Sequence, residues 1–294
     1  MSQDEWLAHQ FETHREHLRA VAYRLLGSLA EADDAVQETW LRVSTADADD
    51  VENLGGWLTT ITGRICLNML RARKSRREQP IDVRLPDPVV SPDGPLQPET
   101  EALLADSVGL ALLVVLDTLT PAERLTFVLH DLFRLPYDEI APMIGRSSAA
   151  ARQLASRARR RVQEADLPQS DSDRNRQREV VDAFFRAARG GDFEALLALL
   201  DEGVVLRTDF GGKRAAELIR GPKRVAAQSL RGALPNATVH PALVNGTSGA
   251  VITIGERPFA LMGFVIRDAR IVEIVAIAHS ERVRRLASSV LDDL

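Results

Sequence analysis

Residues 116–162 read LDTLTPAERLTFVLHDLFRLPYDEIAPMIGRSSAAARQLASRARRRV, and this stretch decides how the rest of the chain is interpreted. Its first part predicts a helix that begins near Thr120, because threonine caps helices, Pro121 suits the first turn and Glu123 completes a capping box. Apolar residues then recur at the spacing of one helix face, at Leu125, Val128, Leu129 and Leu132. Residues 135–136 end this helix, since a residue before proline is pushed out of the helical conformation.

The second part of the stretch has the pattern of a helix-turn-helix motif. A short helix is predicted over about residues 137–144 and a longer one over about 148–162, with a tight turn at Gly145 that uses the freedom of glycine to adopt a positive φ. The last helix contains five arginines, Arg152, Arg157, Arg159, Arg160 and Arg161. No Asp or Glu occurs from Ile140 to Gln163, so this helix suits a groove lined by phosphates. The alternative is a basic surface helix that contacts only solvent.

Length and charge limit the class of protein. A chain of 294 residues has room for two or three domains, and 45% hydrophobic with 27% charged residues is ordinary for a globular protein. The net charge of -5 excludes a chain that is basic throughout. The basic residues are instead local, and a second cluster consists of Arg71, Arg73, Lys74, Arg76 and Arg77.

Several absences narrow the expected location and chemistry. Cys66 is the only cysteine, so no internal disulfide forms and we expect a reducing cytoplasm. The first residues, MSQDEWLAHQFETH, are acidic and amphipathic, unlike a signal peptide. The longest apolar run, residues 108–116, is too short to cross a bilayer. The six histidines are scattered without metal-ligand spacing, so we expect no metal, no cofactor and no membrane partner.

The N-terminal part predicts three amphipathic helices, over residues 4–26, 30–43 and about 57–77. The second helix has an acidic face, formed by Glu31, Asp33, Asp34 and Glu38, which is either solvated or a docking surface for a basic partner helix. The third helix exposes basic and amide side chains that suit single-stranded DNA or phosphates, whereas a single Trp57 is more often part of a core.

The remainder of the chain changes composition twice. Residues 78–98 form an extended linker rich in proline, and residues 165–174 form a second, polar linker. From residue 175 onward, helices are followed by short alternating apolar runs separated by turn residues, as in an antiparallel sheet. A terminal helix is predicted over residues 281–291. This part of the chain is therefore expected to be an α+β domain.

The first 162 residues resemble bacterial sigma factors of the extracytoplasmic-function group. The resemblance is carried by DADDAVQETWLRV and GGWLTTITGRICLNMLRARKSRR in residues 11–77 and by the helix-turn-helix in residues 110–162. It implies binding to core RNA polymerase, through its β′ and β subunits, and to promoter DNA. The implied polymerase-binding residues are Asp34, Gln37, Glu38 and Trp40. The implied residues at the -10 element are Trp57, Arg64, Asn68, Arg71, Arg73 and Lys74. The implied residues at the -35 element are Ser147, Ser148, Arg152, Gln153, Arg157 and Arg160.

Residues 175–294 resemble the SnoaL-like domain of the nuclear transport factor 2-like superfamily, a cone of helices on a curved sheet. A subgroup of sigma factors has this domain, with a DGGGK stretch in it and a WLPEP stretch in the linker. Here the first stands as Asp209, Phe210, Gly211, Gly212 and Lys213, and the second as Arg84, Leu85, Pro86, Asp87 and Pro88. Gly211 and Gly212 permit a tight loop, from which Asp209 and Lys213 could pair across domains with the linker or with the sigma domain. The alternative is a hairpin turn with two solvated charges.

The expected organisation is a multidomain protein with two all-α sigma domains followed by the α+β cone with a curved antiparallel sheet. The expected domains are a region 2 domain at 1–78, a linker at 79–105, a region 4 domain at 106–165 and a regulatory SnoaL-like domain at 175–294. The leading hypothesis is a sigma factor without catalytic activity that is regulated by its own cone.

Two other functions remain open from the sequence. The cone could be an isomerase-like, cyclase-like or hydrolase-like enzyme, with Asp209, His240 and His279 as candidates, or it could bind a small-molecule ligand. An ordinary dimeric helix-turn-helix regulator is the other alternative, although it leaves the acidic helix and residues 57–77 unexplained.

Overall fold

The computed structural model describes residues 3–46, 51–76, 85–95, 110–165, 170–211 and 216–292. The chain divides into two compact units. The first consists of Met1–Pro80 and Gln97–Leu167, and the second of Ile81–Leu96 and Pro168–Leu294. The first unit is all-α and the second is α+β, which confirms the predicted fold class. Among the helices in these ranges, none has both the length and the apolar composition needed to cross a bilayer.

Three helices begin the first unit, namely α1 (Gln3–Leu26), α2 (Leu29–Val43) and α3 (Leu54–Arg76). They share a hydrophobic core built from one apolar stripe of each helix, with Leu7, Phe11, Leu18, Val36, Val43 and Leu58 buried in it. Trp40 and Trp57 pack against the edge of this core. The predicted amphipathic helices therefore form because each hides its apolar face against the other two.

The helix-turn-helix part follows as α4 (Leu110–Thr118), α5 (Pro121–Phe127), a π-helical turn (Val128–Leu132), α6 (Tyr137–Ile144) and α7 (Ser148–Glu164). The capping box between Thr120 and Glu123 is present, with both reciprocal hydrogen bonds. Gly145 ends α6 at φ 65° in the left-handed conformation. The predicted first helix differs in its last turn, which widens into π-helical geometry before Pro136.

Within the first unit, the two groups of helices pack against each other. Gly63 of α3 lies so close to the second group that an added Cβ would be 3.2 Å from Leu129 Cδ1 and 3.3 Å from Met143 Sδ. The guanidinium group of Arg24 lies 5.0 Å from the centre of the Phe133 ring. Small size at residue 63 therefore permits a close contact between α3 and the helix-turn-helix part.

The second unit contains α8 (Arg174–Gly190), α9 (Phe193–Leu199), β2 (Leu200–Asp209), β3 (Glu217–Arg220), α10 (Pro222–Gly232), β4 (Ala237–Val244), β5 (Thr247–Ile254), β6 (Arg257–Arg267), β7 (Arg270–Ile277), α11 (Ser280–Leu286) and α12 (Ser288–Leu291). Helices α8 to α10 cover one face of the sheet, around buried residues such as Phe184, Leu196 and Phe264. Helices α11 and α12 cover part of the other face, around Leu261, Ile277 and Val283.

The sheet has seven described strands in the order β1-β4-β5-β6-β7-β2-β3, where β1 is Val90–Pro92. All neighbouring strands are antiparallel except β2 and β7, which run parallel. Strand β1 comes from the proline-rich linker and pairs with the edge of β4, with Val90 opposite Val244. The middle of the linker is thus an edge strand of the C-terminal sheet.

Candidate nucleic-acid interface and linker contact

Helix α7 presents one small apolar face and one basic face. Its buried residues are Ala151, Ala155 and Ala158, and these short side chains let the helix backbone approach α5 and α6 closely. The predicted residues Arg152, Gln153, Arg157 and Arg160 are all exposed on the other side. At the N-terminal end, Ser147 caps the helix by accepting a hydrogen bond from the Ala150 amide, and Ser148 donates to Asp138.

Some of the arginines on α7 are held by neighbouring side chains. Glu123 is buried and lies 3.3 Å from Arg157 Nε and 3.1 Å from Arg161 Nη1. Burial raises the pKa of the Glu123 carboxyl, but hydrogen bonds from Thr120 and the charges of Arg161 and Arg157 outweigh it, so the pKa lies below its usual value. Glu123 therefore stays ionised and orients two arginines of the basic helix.

The remaining arginines differ in how they are held. Arg152 lies with its guanidinium 5.7 Å from the centre of the Tyr137 ring. Arg159 bonds Asp131 at 2.7 Å and donates to the Tyr137 hydroxyl at 2.6 Å, which makes it a brace between α7 and the preceding elements. Within the described ranges, Arg160 takes part in no ion pair, so its exposed guanidinium is available to phosphate.

Helix α2 exposes an acidic face with an apolar residue in it. Asp34 and Gln37 are exposed, and Glu38 pairs with Arg42 at 2.9 Å. Leu41, one turn further along the same face, is 55% exposed. The predicted Trp40 points elsewhere: it is half-buried and its ring centre lies 5.1 Å from that of Phe11. Trp40 therefore supports this face from beneath.

Helix α3 carries an exposed stripe of basic and amide side chains. Arg64, Asn68, Arg71 and Lys74 are all exposed, at positions spaced by four, three and three residues, which lie along one side of a helix. Two predicted members differ, because Trp57 packs against the core of the first unit and Arg73 pairs with Glu31 and donates to the Leu26 carbonyl at 3.1 Å. Arg73 thus ties α3 to α2.

A buried arginine joins the linker segment of the second unit to the rest of that unit. Arg282 of α11 is 4% exposed, and its guanidinium lies 2.6 Å from Asp87 Oδ1 and 2.5 Å from Asp209 Oδ2. It also donates to the Leu85 carbonyl, while the Leu85 amide donates to Asp209 Oδ2 at 2.9 Å. We call Arg282, Asp87, Asp209 and the Leu85 backbone the linker clamp. A guanidinium suits this position because its planar donors reach two carboxylates and a carbonyl at once.

Further contacts hold the linker beyond the clamp. The Val89 backbone N–H donates to Asn245 Oδ1 at 2.7 Å, and the Asn245 backbone N–H donates to the Val89 carbonyl at 2.8 Å. Residues 85–89 are buried, including the predicted motif residues Pro86 and Pro88. Because proline has no amide hydrogen, these two residues can be buried without an unsatisfied donor.

The predicted regulatory loop is only partly described. Asp209 belongs to the linker clamp, whereas Gly212 and Lys213 of the loop and Arg84 of the linker motif lie outside the described residues. Gly211 adopts φ +68°, and an added Cβ would lie 2.7 Å from the His279 ring. Glycine at residue 211 is therefore required by both the backbone conformation and the available space.

Comparison with known proteins agrees with this arrangement. Residues 10–76 match the Sigma-70 region 2 family, and residues 109–162 match the Sigma-70, region 4 family. Over 275 residues the chain is 35% identical to the probable ECF RNA polymerase sigma factor SigI of Mycobacterium tuberculosis, covering 93% of each protein. The chain belongs to the ECF RNA polymerase sigma factors.

A second relative extends the comparison to three dimensions. This sigma factor is 35% identical over 287 residues to ECF RNA polymerase sigma factor SigJ of Mycobacterium tuberculosis, covering 93% of this chain and 92% of SigJ. The crystal structure of that extracytoplasmic function sigma factor matches with a TM-score of 0.73 at 34% identity, covering 94% of this chain and 97% of SigJ. The similarity thus includes the C-terminal α+β unit as well as the helical part.

The cone of the sigma factor encloses a cavity of about 540 Å³ between α8, α10 and the sheet. None of the three candidate catalytic residues lines it. Asp209 is engaged in the linker clamp, His240 Nε2 lies 2.9 Å from Thr253 Oγ1, and His279 accepts the Arg282 amide at 3.3 Å to cap α11. Asp209 and His279 are neighbours at α11, since Arg282 bonds both, but among the described residues no hydrogen bond joins any two of the three candidates. In the described part of the sigma factor, no group of three His, Cys, Asp or Glu is arranged to hold a metal ion.

Three residues important to these surfaces were missed from the sequence. Leu41 looks like part of an apolar helix face until its exposure is known. Glu123 was identified only as a helix cap, although the basic composition of α7 could have suggested a buried acidic partner. Arg282 had no local signal at all, since its partners Asp87 and Leu85 lie 195 and 197 residues away.

Proposed function

We propose that this sigma factor binds core RNA polymerase and directs transcription initiation at promoters that contain a -10 and a -35 element. The observation that carries the proposal is the acidic face of α2, where Asp34, Gln37 and Glu38 precede an exposed Leu41 on the same side of the helix. Isolated apolar side chains on a surface are common, but an apolar residue beside acidic and amide groups on one helix face suits a basic partner helix with an apolar contact.

The α3 stripe is proposed to face the opened -10 strand. Unstacking a base costs a few kcal/mol, and this cost is offset by contacts to the extruded base and its backbone. Arg64, Arg71 and Lys74 supply charge for the backbone, and Asn68 supplies an amide for a base edge. Trp57, which packs at the edge of the core, supports this helix and is not assigned a stacking role.

Helix α7 is proposed to enter the major groove at the -35 element. The N-terminal residues of a recognition helix contact base edges, so Arg152 and Gln153 are the specificity candidates. Ser147, Ser148, Arg157 and Arg160 are assigned to phosphates and orientation. The ion pair between Glu123 and Arg157 fixes the Arg157 side chain before DNA binds, which reduces the conformational entropy lost on binding.

The C-terminal domain is proposed to regulate initiation through the linker. The linker clamp and strand β1 attach the segment between regions 2 and 4 to the cone, so release or retention of the linker changes the length of free chain between the two DNA-binding regions. Asp209 and Asp87 are the residues through which this control acts.

An enzymatic cone is the competing proposal, and the cavity gives no support to it. Acid–base catalysis needs a group that can accept or donate a proton at the substrate, such as a carboxylate or imidazole. Arg189 is the one charged residue among the described residues that line the cavity, and a guanidinium group offers hydrogen-bond donors and no acceptor. We infer that the cavity binds a ligand and does not catalyse a reaction.

Leu41→Arg provides the test of polymerase binding. Purified full-length protein is mixed with bacterial core RNA polymerase, and the complex is separated by size exclusion. We expect the wild type to co-elute with the polymerase and Leu41→Arg to lose about tenfold or more in affinity, as for a central apolar contact of an interface.

Leu218→Arg is the matched control, because Leu218 is also an exposed leucine, at 44% exposure, but lies on β3. Its complex with the polymerase should form normally. Failure of the wild type to associate with core polymerase would contradict the proposed function. Equal binding by Leu41→Arg and Leu218→Arg would remove the α2 face from it.

A further inference from the structure

The cavity in the cone has an apolar interior and donors at its opening. Phe184, Leu206 and Ala260 in its wall are buried, whereas Phe259 and Arg189 at its edge are exposed. A volume of about 540 Å³ is in the range of cavities that hold small organic molecules. An apolar wall of this size is stabilised when an apolar body replaces water in it.

Two of the polar side chains that line the cavity, Gln228 and Arg189, offer hydrogen-bond donors, whereas the Ser229 hydroxyl donates to the Val225 carbonyl at 2.9 Å. Gln228 lines the cavity, and its carbonyl oxygen already accepts a hydrogen bond of 2.6 Å from Arg231. Because arginine can only donate, this contact fixes the orientation of the Gln228 amide and leaves its NH2 group for another partner. Arg189 adds a positive charge and, within the described ranges, has no ion pair. An anionic group of a ligand is the partner that satisfies both.

The aromatic side chains in the cavity wall indicate the chemical type of the apolar part of the ligand. Phe184 and Phe185 both line the cavity and meet edge to face, with ring centres 5.5 Å apart. Phe210 and Phe259 add two further rings to the wall. Aromatic rings pack favourably against other rings in offset or edge-to-face arrangements, so a planar ring system fits this wall better than a flexible chain.

The cavity and the linker clamp lie on opposite sides of the same strand. Thr208 and Phe210 line the cavity, and Asp209 between them binds Arg282 and the Leu85 amide. This follows from the alternation of side chains along a strand. Ala278 provides a second connection between the cavity and the linker clamp. It lines the cavity, and its backbone N–H donates to the Asp209 carbonyl at 2.7 Å.

We propose that this cavity binds a small aromatic or polycyclic anion, such as an aromatic carboxylate, and that the bound molecule tightens the linker clamp by fixing residues 208–210. A ligand that contacts Thr208 and Phe210 in the clamped arrangement shifts the equilibrium towards that arrangement, to the extent that it binds it more tightly. The consequence for transcription rests on the proposed function, but the binding site and its link to the clamp do not.

Binding is tested on the free full-length chain with anilinonaphthalenesulfonate, an aromatic sulfonate whose fluorescence rises in apolar sites. Phenylnaphthylamine is the uncharged partner probe. We expect saturable binding of one anilinonaphthalenesulfonate per chain, and its loss in Ala237→Trp, which fills the cavity from the half-exposed start of β4. Saturable binding that Ala237→Trp leaves unchanged would overturn the site, and so would an absence of binding by the wild type.

The charge requirement is tested with a matched pair of arginines on α8. Arg189→Ala should weaken binding of anilinonaphthalenesulfonate about three- to fivefold, as expected for one partly exposed charge contact, and leave phenylnaphthylamine binding unchanged. Arg186→Ala removes an exposed arginine that does not line the cavity, and both probes should bind it as they bind the wild type. Equal effects of the two substitutions would overturn the preference for an anion.

Hydrogen exchange of the Leu85 and Val89 amides reports the clamp, because both donate to side chains of the second unit. Exchange of the peptide that spans residues 85–90 should become slower when anilinonaphthalenesulfonate is added to the wild type, and should not change in Ala237→Trp. Unchanged exchange in the probe-saturated wild type would overturn the link to the clamp. Since polymerase is absent from these measurements, their failure is distinguishable from failure of the proposed function.

Discussion

Arg282 is the residue on which the attachment of the linker depends. It is buried between two carboxylates, and removing it leaves Asp87 and Asp209 without their shared cation. We expect Arg282→Ala to lower the free energy of unfolding by about 3–5 kcal/mol, the usual cost of breaking a buried ion pair. Arg282→Lys should recover only part of this loss, because an ammonium group lacks the planar fork whose three nitrogens reach Asp87, Asp209 and the Leu85 carbonyl.

Urea denaturation of the full chain measures these values. Arg284→Ala is the control on the same helix, since Arg284 is exposed, and it should unfold with wild-type stability. A stability of Arg282→Ala equal to that of Arg284→Ala would mean that the linker clamp contributes nothing to folding.

Glu123 gives the helix-turn-helix part a defined response to acid. Its pKa is lower in the folded protein than in the unfolded chain, so the folded state binds fewer protons between the two values. The stabilisation is complete above the unfolded pKa of about 4.3, and it is lost as the pH falls through the folded pKa below that value. We expect Glu123→Gln to be destabilised by about 1–3 kcal/mol at pH 7.

The difference between the wild type and Glu123→Gln should shrink at a pH below about 4. Denaturation of both proteins at neutral and acid pH provides the comparison. Glu164→Gln, at the exposed end of α7, is the control for simple removal of a carboxylate. A difference that stays constant with pH would show that Glu123 does not titrate as its contacts require.

At the scale of the element, α7 separates arginines that face solvent from those that serve the fold. Arg160→Ala should weaken binding to a -35 duplex and reduce the slope of log K against log salt by about one, because one phosphate contact is lost. Arg159→Ala should instead lower stability, since Arg159 braces Asp131 and Tyr137. Titrations of duplex DNA at several salt concentrations test this.

Arg224→Ala is the control for loss of a positive charge, because Arg224 is exposed on α10 in the second unit. It should leave the salt slope unchanged. The same slope in Arg160→Ala as in Arg224→Ala would exclude a phosphate contact at residue 160.

The elements differ in how well the sequence predicts them. The helices of the first unit were predicted within a few residues, because their caps, prolines and apolar periodicity are local signals. The capping box at Thr120 and the glycine turn at residue 145 are of this kind. Strand β1 was not predicted, since Val90–Pro92 is short and lies among prolines, and its pairing partner is supplied by the distant β4. The linker clamp could not be predicted either, because its members also lie far apart in the sequence.

The predicted binding surfaces show the same limit. Periodicity correctly indicates which residues share a helix face, and it places Arg64, Asn68 and Arg71 on one face of α3. It does not indicate which face a neighbour covers, and for that reason Trp40 and Arg73 were grouped with exposed residues. Their placement depends on contacts with Phe11 and Glu31 from other helices.

At the scale of the whole molecule, the close contact at Gly63 holds the two helical groups of the first unit together. Gly63→Leu keeps α3 intact, because leucine favours helices more than glycine does, but its side chain overlaps Leu129 and Met143. We expect the two groups to separate, which raises the radius of gyration measured by small-angle X-ray scattering while the helix content stays the same.

Gly94→Leu is the matched control, since an added Cβ at residue 94 has no neighbour within 4 Å. Its scattering should equal that of the wild type. A radius of gyration for Gly63→Leu that also matches the wild type would mean that the packing of α3 against the helix-turn-helix part tolerates a large side chain.

The capture of β1 by the C-terminal sheet has a consequence for promoter choice. Regions 2 and 4 are joined by residues 77–108. On the proposed function, attachment of residues 85–92 leaves only the two flanking segments to span the DNA between the two elements. Each residue of an extended chain spans about 3.3–3.6 Å, so an attached β1 sets an upper bound on the number of base pairs that can separate the elements. On the proposed function, spacer length would then be discriminated by a strand that belongs to the C-terminal sheet.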